Sequence, residues 1–255
     1  MSDHDQHVTA QFNPVAAAYL TSVVHAQGED LQRLAAIAAH FPTARALDLG
    51  CGAGHVSFVV APHVAHVTAY DLSAPMLDVV ASSAAERGLR NIDIQQGAAE
   101  QMPFPDATFD LVCTRYSAHH WMDVPAALKE IRRVLKPDGV LVVMDIVGSP
   151  DPLFDTHLQT IELLRDTSHV RNYALPAWRQ MLVSAGFEVG NVDTWKLRLE
   201  FASWISRMRT PPERVAAIQS LLAGTSAEVK DYLQLEADYS FSPDTAMIEA
   251  RPSHR

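Results

Sequence analysis

The segment RALDLGCGAGHVSFVV, residues 45–60, constrains the fold more than any other part of the chain. An apolar run that suits a buried strand leads through Gly50, Gly52 and Gly54 into a run that suits a helix. Glycine adopts backbone angles that other residues avoid, and it lets a ligand approach the main chain closely. The segment predicts a strand–turn–helix unit, either as a tight connection alone or as a turn that lies against a bound molecule.

Strand-like and helix-like segments alternate through residues 44–150. The strand-like segments are nearly continuous apolar runs, as expected for strands that are buried on both faces of a parallel sheet. Alternation at this spacing predicts an α/β, doubly wound (Rossmann-like) fold with helices on both sides of the sheet. The predicted strands are ARALDLG, HVTAYDL, NIDIQQG, FDLVCTRY and VLVVMDIV. The last of these follows an amphipathic helix, VPAALKEIRRVLKPDG, which is predicted to end at Pro137 and Gly139.

The flanking segments are less regular. Residues 1–11 are polar and are expected to be mobile, and residues 14–41 predict two helices that are broken near Gly28. Beyond residue 150 the sequence predicts helices, a long strand FEVGNVDTWKLRLEF, helical structure over residues 203–236 and a final strand DTAMIEARP. The simplest interpretation is one domain, 1–255, with N-terminal helices or a lid (1–43), a ligand-binding core (44–150) and a helical insertion with the last strands (151–255).

Charge and composition exclude several classes of function. The 255 residues carry a formal net charge of −10, which disfavours a general attraction to nucleic acid or anionic lipid. The two cysteines, Cys51 and Cys113, do not make a disulfide framework, and the first residues lack the order of a signal peptide. The longest uncharged run is interrupted by Gly, Pro and His, so no membrane span is expected. A cytoplasmic location is the resulting expectation.

Two acidic residues indicate which ligand the glycine turn binds. Asp71 ends the next predicted strand, about twenty residues on, where an acid typically accepts hydrogen bonds from ribose hydroxyls. His55 stands where the dinucleotide fingerprint needs its third glycine, and Asp48 is a poor neighbour for pyrophosphate but a good one for an ammonium group. An adenosine joined to an amino acid, as in S-adenosylmethionine (SAM), satisfies both acids. Alternatively, Asp48 is only a cap for the following helix.

Four motifs, LDLGCGAGH, AYDLSAPML, GAAEQMPFPDATFDLV and IRRVLKPDGVLVVMD, occur in the order and spacing of the class I SAM-dependent methyltransferases. The chain resembles this family over residues 40–150 and more weakly to about residue 190. It is most similar to the branch near the ubiquinone/menaquinone-biosynthesis C-methyltransferases. The resemblance implies a seven-stranded sheet whose last strand is antiparallel, and SAM as the cofactor.

The resemblance also implies a set of cofactor-binding residues. The methionine part of SAM is expected near the glycine turn and the end of the fourth strand, the ribose at the second strand, and the adenine beside the following residues. These residues are Asp48, Gly50, Cys51, Gly52, Gly54, Arg115, Asp71, Leu72, Met76, Ala98, Ala99, Glu100 and, from an N-terminal helix, Tyr19. Met76 and Tyr19 also suit plain core positions. The family usually has aspartate where this chain has Ala98, so Ala99, Glu100 or water is expected to receive the adenine amino group.

The segment TRYSAHHWMD follows the fourth strand and is expected to face the transferable methyl group. Tyr116, His119 and His120 are the candidate catalytic residues, with His120 favoured as a general base and a structural role left open. The histidine pair has no third ligand at convincing spacing, so no metal is predicted.

Large apolar residues suggest a pocket for a flat or apolar small-molecule acceptor, with ordinary packing of the helical insertion as the alternative for any single one of them. Asp145 and Arg171 are further candidates on that side. The apolar residues are Trp121, Trp178, Trp195, Trp204, Met181 and Met208. No (N/D)PPY tetrapeptide follows the fourth strand, which also disfavours nucleic acid as the acceptor. The alternatives are a SAM-binding sensor or scaffold without catalysis and, less favoured, a nicotinamide-dependent dehydrogenase.

Overall fold

Seven strands form one mixed sheet in the order β3-β2-β1-β4-β5-β7-β6 in the computed structural model, which describes residues 2–20 and 28–253. The strands are β1 (Arg45–Leu49), β2 (His66–Asp71), β3 (Ile92–Gln96), β4 (Phe109–Arg115), β5 (Leu135–Ile146), β6 (Phe187–Lys196) and β7 (Asp244–Pro252). Strand β7 runs antiparallel to both β5 and β6, and all neighbouring pairs among strands β1 to β5 are parallel. This arrangement confirms the predicted α/β sheet with an antiparallel last strand.

Helices cover both faces of the sheet. They are α1 (Asp3–Phe12), α2 (Ala16–Leu20), α3 (Glu29–Ala38), α4 (His55–Val60), α5 (Ala74–Glu86), α6 (Val124–Val134), α7 (Pro152–Arg165), α8 (Leu175–Ser184), α9 (Phe201–Arg207), α10 (Pro212–Gly224) and α11 (Ala227–Leu233). One apolar cluster joins α6 and α8 to one face of the sheet, and a second joins α3 and α4 to the other. The buried central strands β1, β2 and β4 therefore carry few polar side chains, in accord with their continuous apolar runs.

A third apolar cluster forms the helical insertion. It packs α7 against α9, α10 and α11 around the buried Trp204 and Phe241. The cluster lies beyond the end of β5, so the insertion rises beside the edge of the sheet at which the parallel strands β1, β4 and β5 end. None of the helices in the described part of the chain has the length and apolar character that crossing a bilayer requires.

Two predicted elements differ from the structure near the sheet. Helix α6 ends at Val134, three residues before Pro137, because Leu135 turns to extended backbone and pairs with Phe109. The KPDG segment lies within β5, where the register shifts between Phe109 and Leu111. The predicted long strand after residue 186 ends at Lys196.

The N-terminal segment also differs from its prediction. Residues 3–12 form a helix because Ser2 and Asp5 make a reciprocal capping box at its start. Gly28 directly precedes α3, as the predicted break requires, although the residues between it and Leu20 lie outside the described part of the chain. The segment 203–236 is helical but divided into parts of α9, α10 and α11.

Gly54 holds α4 against α5. Its φ is +88°, and a Cβ on it would lie 2.9 Å from side-chain atoms of both Phe58 and Val80. Gly88 has a similar φ of +70°, but a Cβ there would meet no atom within 4 Å. Substitution of either glycine strains the backbone, but only substitution of Gly54 also crowds neighbouring side chains. Comparing the two therefore distinguishes backbone strain from overpacking.

We expect Gly54→Ala to lower the free energy of unfolding by about 2–4 kcal/mol, since strain and overpacking add. Gly88→Ala is the matched control and should cost about 1 kcal/mol from strain alone. Urea unfolding followed by circular dichroism measures both. Equal losses in the two variants would show that the contact with Phe58 and Val80 is not tight.

Candidate active site

The carboxyl ends of β1, β2 and β4 border the larger of two neighbouring cavities, here called the cofactor cavity. The glycine turn after β1 forms its floor, and the backbone N–H groups of Gly50 and Cys51 both donate to the carbonyl of Tyr70. A Cβ on Gly50 would collide with Ser117, whereas a Cβ on Gly52 would meet nothing within 4 Å. Gly50 therefore admits the chain that follows β4, and Gly52 leaves bare main chain at the cavity wall.

Asp48 is buried beneath this turn, and one of its two carboxylate oxygens is hydrogen-bonded within the protein. Its Oδ2 accepts hydrogen bonds from the backbone N–H of Ser57 at 2.9 Å and from the Ser57 hydroxyl at 2.7 Å. Its Oδ1 has no hydrogen-bond partner among the described residues. Burial raises the pKa of Asp48 to about 7 despite the two bonds from Ser57. The side chain thus caps α4 and also presents an unmatched acceptor beside the cavity.

Asp71 fixes the other side of the turn. Its Oδ2 accepts the N–H of Gly52 and its Oδ1 accepts the N–H of Ser73, each at 2.8 Å. Burial raises its pKa, which the backbone bonds oppose. Each carboxylate oxygen has a second lone pair, so hydroxyl donors in the cavity still have acceptors here.

Most of the predicted cofactor residues line this cavity: Tyr19, Asp48, Gly50, Cys51, Gly52, Asp71, Leu72, Met76, Ala99, Glu100 and Arg115. Gly54 and Ala98 do not. Gly54 is needed for helix packing, and Ala98 instead offers its carbonyl to the hydroxyl of Tyr70 at 3.1 Å. Ala98 therefore does not take the place of the aspartate that the family usually has at this position. Its neighbours Gly97, Ala99 and Glu100 line the cavity wall instead.

Arg115 lines the cavity from the end of β4 and has a buried partner that the sequence analysis missed. Its Nε donates to Asp30 in α3, and both side chains are almost fully buried. Its guanidinium also lies 4.6 Å from the ring centroid of Tyr116. Tyr116 has φ +50°, an uncommon backbone angle for a residue with a side chain, at the point where the chain leaves the sheet. Asp30 and Arg115 are 85 residues apart in the sequence, so no local pattern indicates that they pair.

The turn Ala118–His120 carries two histidines with different environments. His119 Nδ1 lies 2.7 Å from Oδ1 of Asp145, at the end of β5. Burial acts against its charge, but the carboxylates of Asp145, Glu162 and Asp166 together outweigh burial and raise the pKa of His119, with Asp145 contributing most among them. In contrast, burial and the neighbouring His119 lower the pKa of His120 to about 4, so His120 is neutral near pH 7. Its Nδ1 lies 3.1 Å from the carbonyl of Ser168.

A second cavity, here called the acceptor chamber, adjoins the first. Among the described residues, both cavities are lined by Phe12, Tyr19, Tyr116 and His120. The chamber continues between the histidine turn and the helical insertion, and its other lining residues are His119, Ile146, Glu162, Arg165, Asn172, Leu197, Leu199, Trp204 and Arg207. Tyr19 stands at the junction and donates its hydroxyl to Sδ of Met208 at 3.1 Å.

The predicted apolar acceptor pocket is largely wrong in its residues. Only Trp204 of the named tryptophans lines the chamber; Trp121 lines the cofactor cavity, and the others pack elsewhere. Trp178 and Met181 pack in the core cluster of α6 and α8, and Trp195 packs on the opposite face of the sheet. The same holds for Arg171, which is half-exposed, pairs with Asp155 and does not line the chamber.

Helix α1 forms one wall of the cofactor cavity through Asp5, Val8, Thr9 and Phe12. It is held to the turn at residues 118–120 by a hydrogen bond from His4 Nε2 to the carbonyl of His120, 3.0 Å long. It is held to the insertion by His7 and Gln11, each 2.8 Å from the hydroxyl of Thr167. No sequence pattern indicates these contacts, because the helix is short and polar and its partners are more than 100 residues away in the sequence.

Comparison with known proteins identifies the family. A family model described as a methyltransferase domain matches residues 47–143. The uncharacterized protein YafE of Escherichia coli is 51% identical over 201 residues, which cover 79% of this chain and 97% of that protein. The uncharacterized methyltransferase YcgJ of Bacillus subtilis is 35% identical over 239 residues, which cover 94% of each chain. The crystal structure of YcgJ superposes with a TM-score of 0.85 at 34% identity and covers 88% of this chain and 98% of that one.

The demethylmenaquinone methyltransferase of Clavibacter sepedonicus is 33% identical over 162 residues, which cover 60% of this chain and 65% of that protein. The resemblance drawn from the four motifs is thereby confirmed. The chain is an enzyme of the SAM-dependent methyltransferase family.

The buried Asp48 makes a prediction about stability. Because its pKa is about 7 in the folded protein and ordinarily 3.8, the folded state binds this proton more tightly than the unfolded chain. Its contribution to the free energy of unfolding should therefore fall as the pH rises from about 4 to about 7, by roughly 1.4 kcal/mol per unit of pKa shift. Asp48→Asn should remove that fall.

Urea unfolding of the wild type and Asp48→Asn across pH 4–8 measures the effect. The quantity of interest is the difference between the two curves, because other buried groups titrate in both proteins. Parallel curves would mean that Asp48 is ionised throughout this range.

Proposed function

We propose that this enzyme transfers the methyl group of SAM to a small organic acceptor by in-line displacement. The observation that carries the proposal is the junction of the two cavities. A cavity bordered by a bare glycine turn, the buried Asp48 and the half-buried Asp71 shares Tyr19, Tyr116 and His120 with a chamber that is lined by His119, the partner of Asp145. Donor and acceptor sites that share a wall are what a direct transfer needs.

The residues of the cofactor cavity fit SAM. The unmatched Oδ1 of Asp48 suits the ammonium group, directly or through water, and Asp71 suits the ribose hydroxyls. Gly52 leaves room for close approach, and Arg115, charge-balanced by Asp30, suits the carboxylate. When bound, SAM supplies an activated methyl group on a sulfonium, so the protein has to align the acceptor and exclude water.

His119 is the residue that we propose as general base, in preference to His120. Because an ionised Asp145 only accepts hydrogen bonds, it holds the proton on Nδ1 of His119 and leaves Nε2 as the atom able to take a proton. Asp145 also makes His119 the more basic of the two rings, whereas the pKa of His120 is lowered to about 4. His120, neutral and present in both cavities, orients the acceptor beside Tyr116. This role applies to acceptors that lose a proton.

The alternatives are less well supported. A dehydrogenase would bind pyrophosphate beside Asp48. A second negative group there would add to the cost that burial already imposes on the Asp48 carboxylate. A sensor without catalysis would not require a histidine–aspartate pair in a chamber that adjoins the cofactor cavity. A cytoplasmic location stays a prediction from the sequence.

Isothermal titration with SAM and with NAD tests the cofactor. We expect SAM to bind and NAD not to bind, and we expect Asp71→Ala to weaken SAM binding by about tenfold or more, because a charge-assisted contact is lost. Asp78→Ala, which changes an exposed acid on α5 outside the cavity, is the control. Tight NAD binding without SAM binding would overturn the assignment.

The pH dependence of turnover tests His119 once a screen of metabolite fractions with labelled SAM has supplied an acceptor. We expect the rate constant to rise with pH on an acid limb whose apparent pKa lies above 6.5, since His119 must lose its proton to act. His119→Gln should lower turnover by about 10²–10⁴-fold with little change in SAM affinity. Asp145→Asn should move the acid limb to lower pH. An unchanged profile in both variants would remove the pair from the mechanism.

A further inference from the structure

In the part of the chain that the structure describes, the acceptor chamber is lined by two cations and one carboxylate besides its histidines. Arg165 and Arg207 come from α7 and α9, and Glu162 lies one turn before Arg165. The nearest approach of Glu162 to Arg165 is 3.8 Å, which is too long for a hydrogen bond, so this acid does not saturate the guanidinium. Asp145 has His119 as its partner. Asp166 does not line the chamber; its Oδ1 accepts from Ser168, and its Oδ2, which has no hydrogen-bond partner among the described residues, lies 3.9 Å from Nε2 of His120.

The two arginines are held in place by the aromatic residues of the chamber. Arg165 donates from Nε to the carbonyl of Trp204 at 3.0 Å, and its guanidinium carbon lies 5.0 Å from the Trp204 ring centroid. The guanidinium carbon of Arg207 lies 5.9 Å from the Tyr19 ring centroid. Burial and the neighbouring Arg165 lower the pKa of Arg207, in keeping with two like charges confined together. An anion between them would relieve that repulsion.

The same wall holds polar atoms that the protein leaves unmatched. Asn172 is 1% exposed, and neither its side-chain Nδ2 nor its Oδ1 has a hydrogen-bond partner among the described residues. Its backbone groups, in contrast, are bonded to Gln159. A buried amide without partners costs free energy unless a molecule in the chamber supplies them. The chamber therefore has the features of a built site for a polar molecule.

Resting on the proposed function, we propose that the methyl acceptor is a small organic acid whose carboxylate is bound by Arg165 and Arg207 and hydrogen-bonded by Asn172. Guanidinium groups are suited to this role because their planar donors match the two oxygens of a carboxylate. Trp204, Leu199 and Ile146 then contact the apolar part of the acid. The site selects its acceptor by charge, which replaces the apolar recognition expected from the sequence.

An amine acceptor is the competing possibility, because Glu162 also lines the chamber and its Oε1 has no partner among the described residues. Two observations favour the acid. Burial raises the pKa of Glu162, which weakens it as a counter-ion, and a cationic ligand would have to approach both arginines. The sign of the Glu162→Gln effect distinguishes the two: it should strengthen binding of an acid and weaken binding of an amine.

The test uses benzoate, benzamide and benzylamine, which share a ring and differ in charge. Each is titrated into the full chain saturated with S-adenosylhomocysteine, and binding is followed by ligand-observed NMR. We expect benzoate to bind about tenfold or more tightly than benzamide, and benzylamine to bind least. Arg165→Met and Arg207→Met should remove that preference, and Glu162→Gln should increase benzoate affinity. Arg171→Met, at an arginine outside the chamber, is the matched control.

S-adenosylhomocysteine affinity, measured separately for every variant, shows whether the cofactor cavity and the fold are intact. If S-adenosylhomocysteine does not bind the wild type, the proposed function fails. If it binds, but benzoate has no preference over benzamide or none of the three probes binds, the carboxylate proposal alone is overturned. Benzylamine binding that Glu162→Gln weakens would identify an amine site in its place.

Discussion

The site depends on the different surroundings of the two oxygens of the Asp48 carboxylate. One oxygen ties the end of β1 to the first turn of α4 through Ser57, and this bond fixes the path of the glycine turn between them. The other oxygen is left unmatched at the cavity. Because both oxygens belong to a single buried side chain, the same residue shapes the turn and, in the proposed function, receives the ammonium group. The interpretations of Asp48 as a cap and as a ligand contact are therefore compatible.

The histidine turn after β4 brings the two halves of the molecule together. His119 faces the end of β5 through Asp145, and its carbonyl accepts the N–H groups of Val170 and Arg171 from the insertion. The insertion is thereby held against the sheet at the place where the two cavities meet. Its helices α7 and α9 then contribute Glu162, Arg165 and Arg207 to the wall of the chamber, so the proposed recognition of the acceptor depends on residues of the insertion.

Sequence patterns predicted the strands and helices of the core well because these depend on local order, whereas the cofactor roles of its residues stay predictions. The turn, Asp48 and Asp71 lie within one strand–helix–strand unit, and most of the residues named from motifs line one cavity. The prediction failed where partners are distant in sequence. Asp30 and Arg115, or Arg165 and Tyr19, are brought together only by the fold. An arginine on an amphipathic helix looks like a surface residue, and tryptophans in a helical insertion look like a pocket even when most of them pack in the core.

Helix α1 contributes to the walls of both cavities. Its hydrogen bonds reach both the carbonyl of His120 and the hydroxyl of Thr167, and Phe12 belongs to the walls of both cavities. Because one helix contributes to both walls, a displacement of α1 would change the shape of the two cavities together.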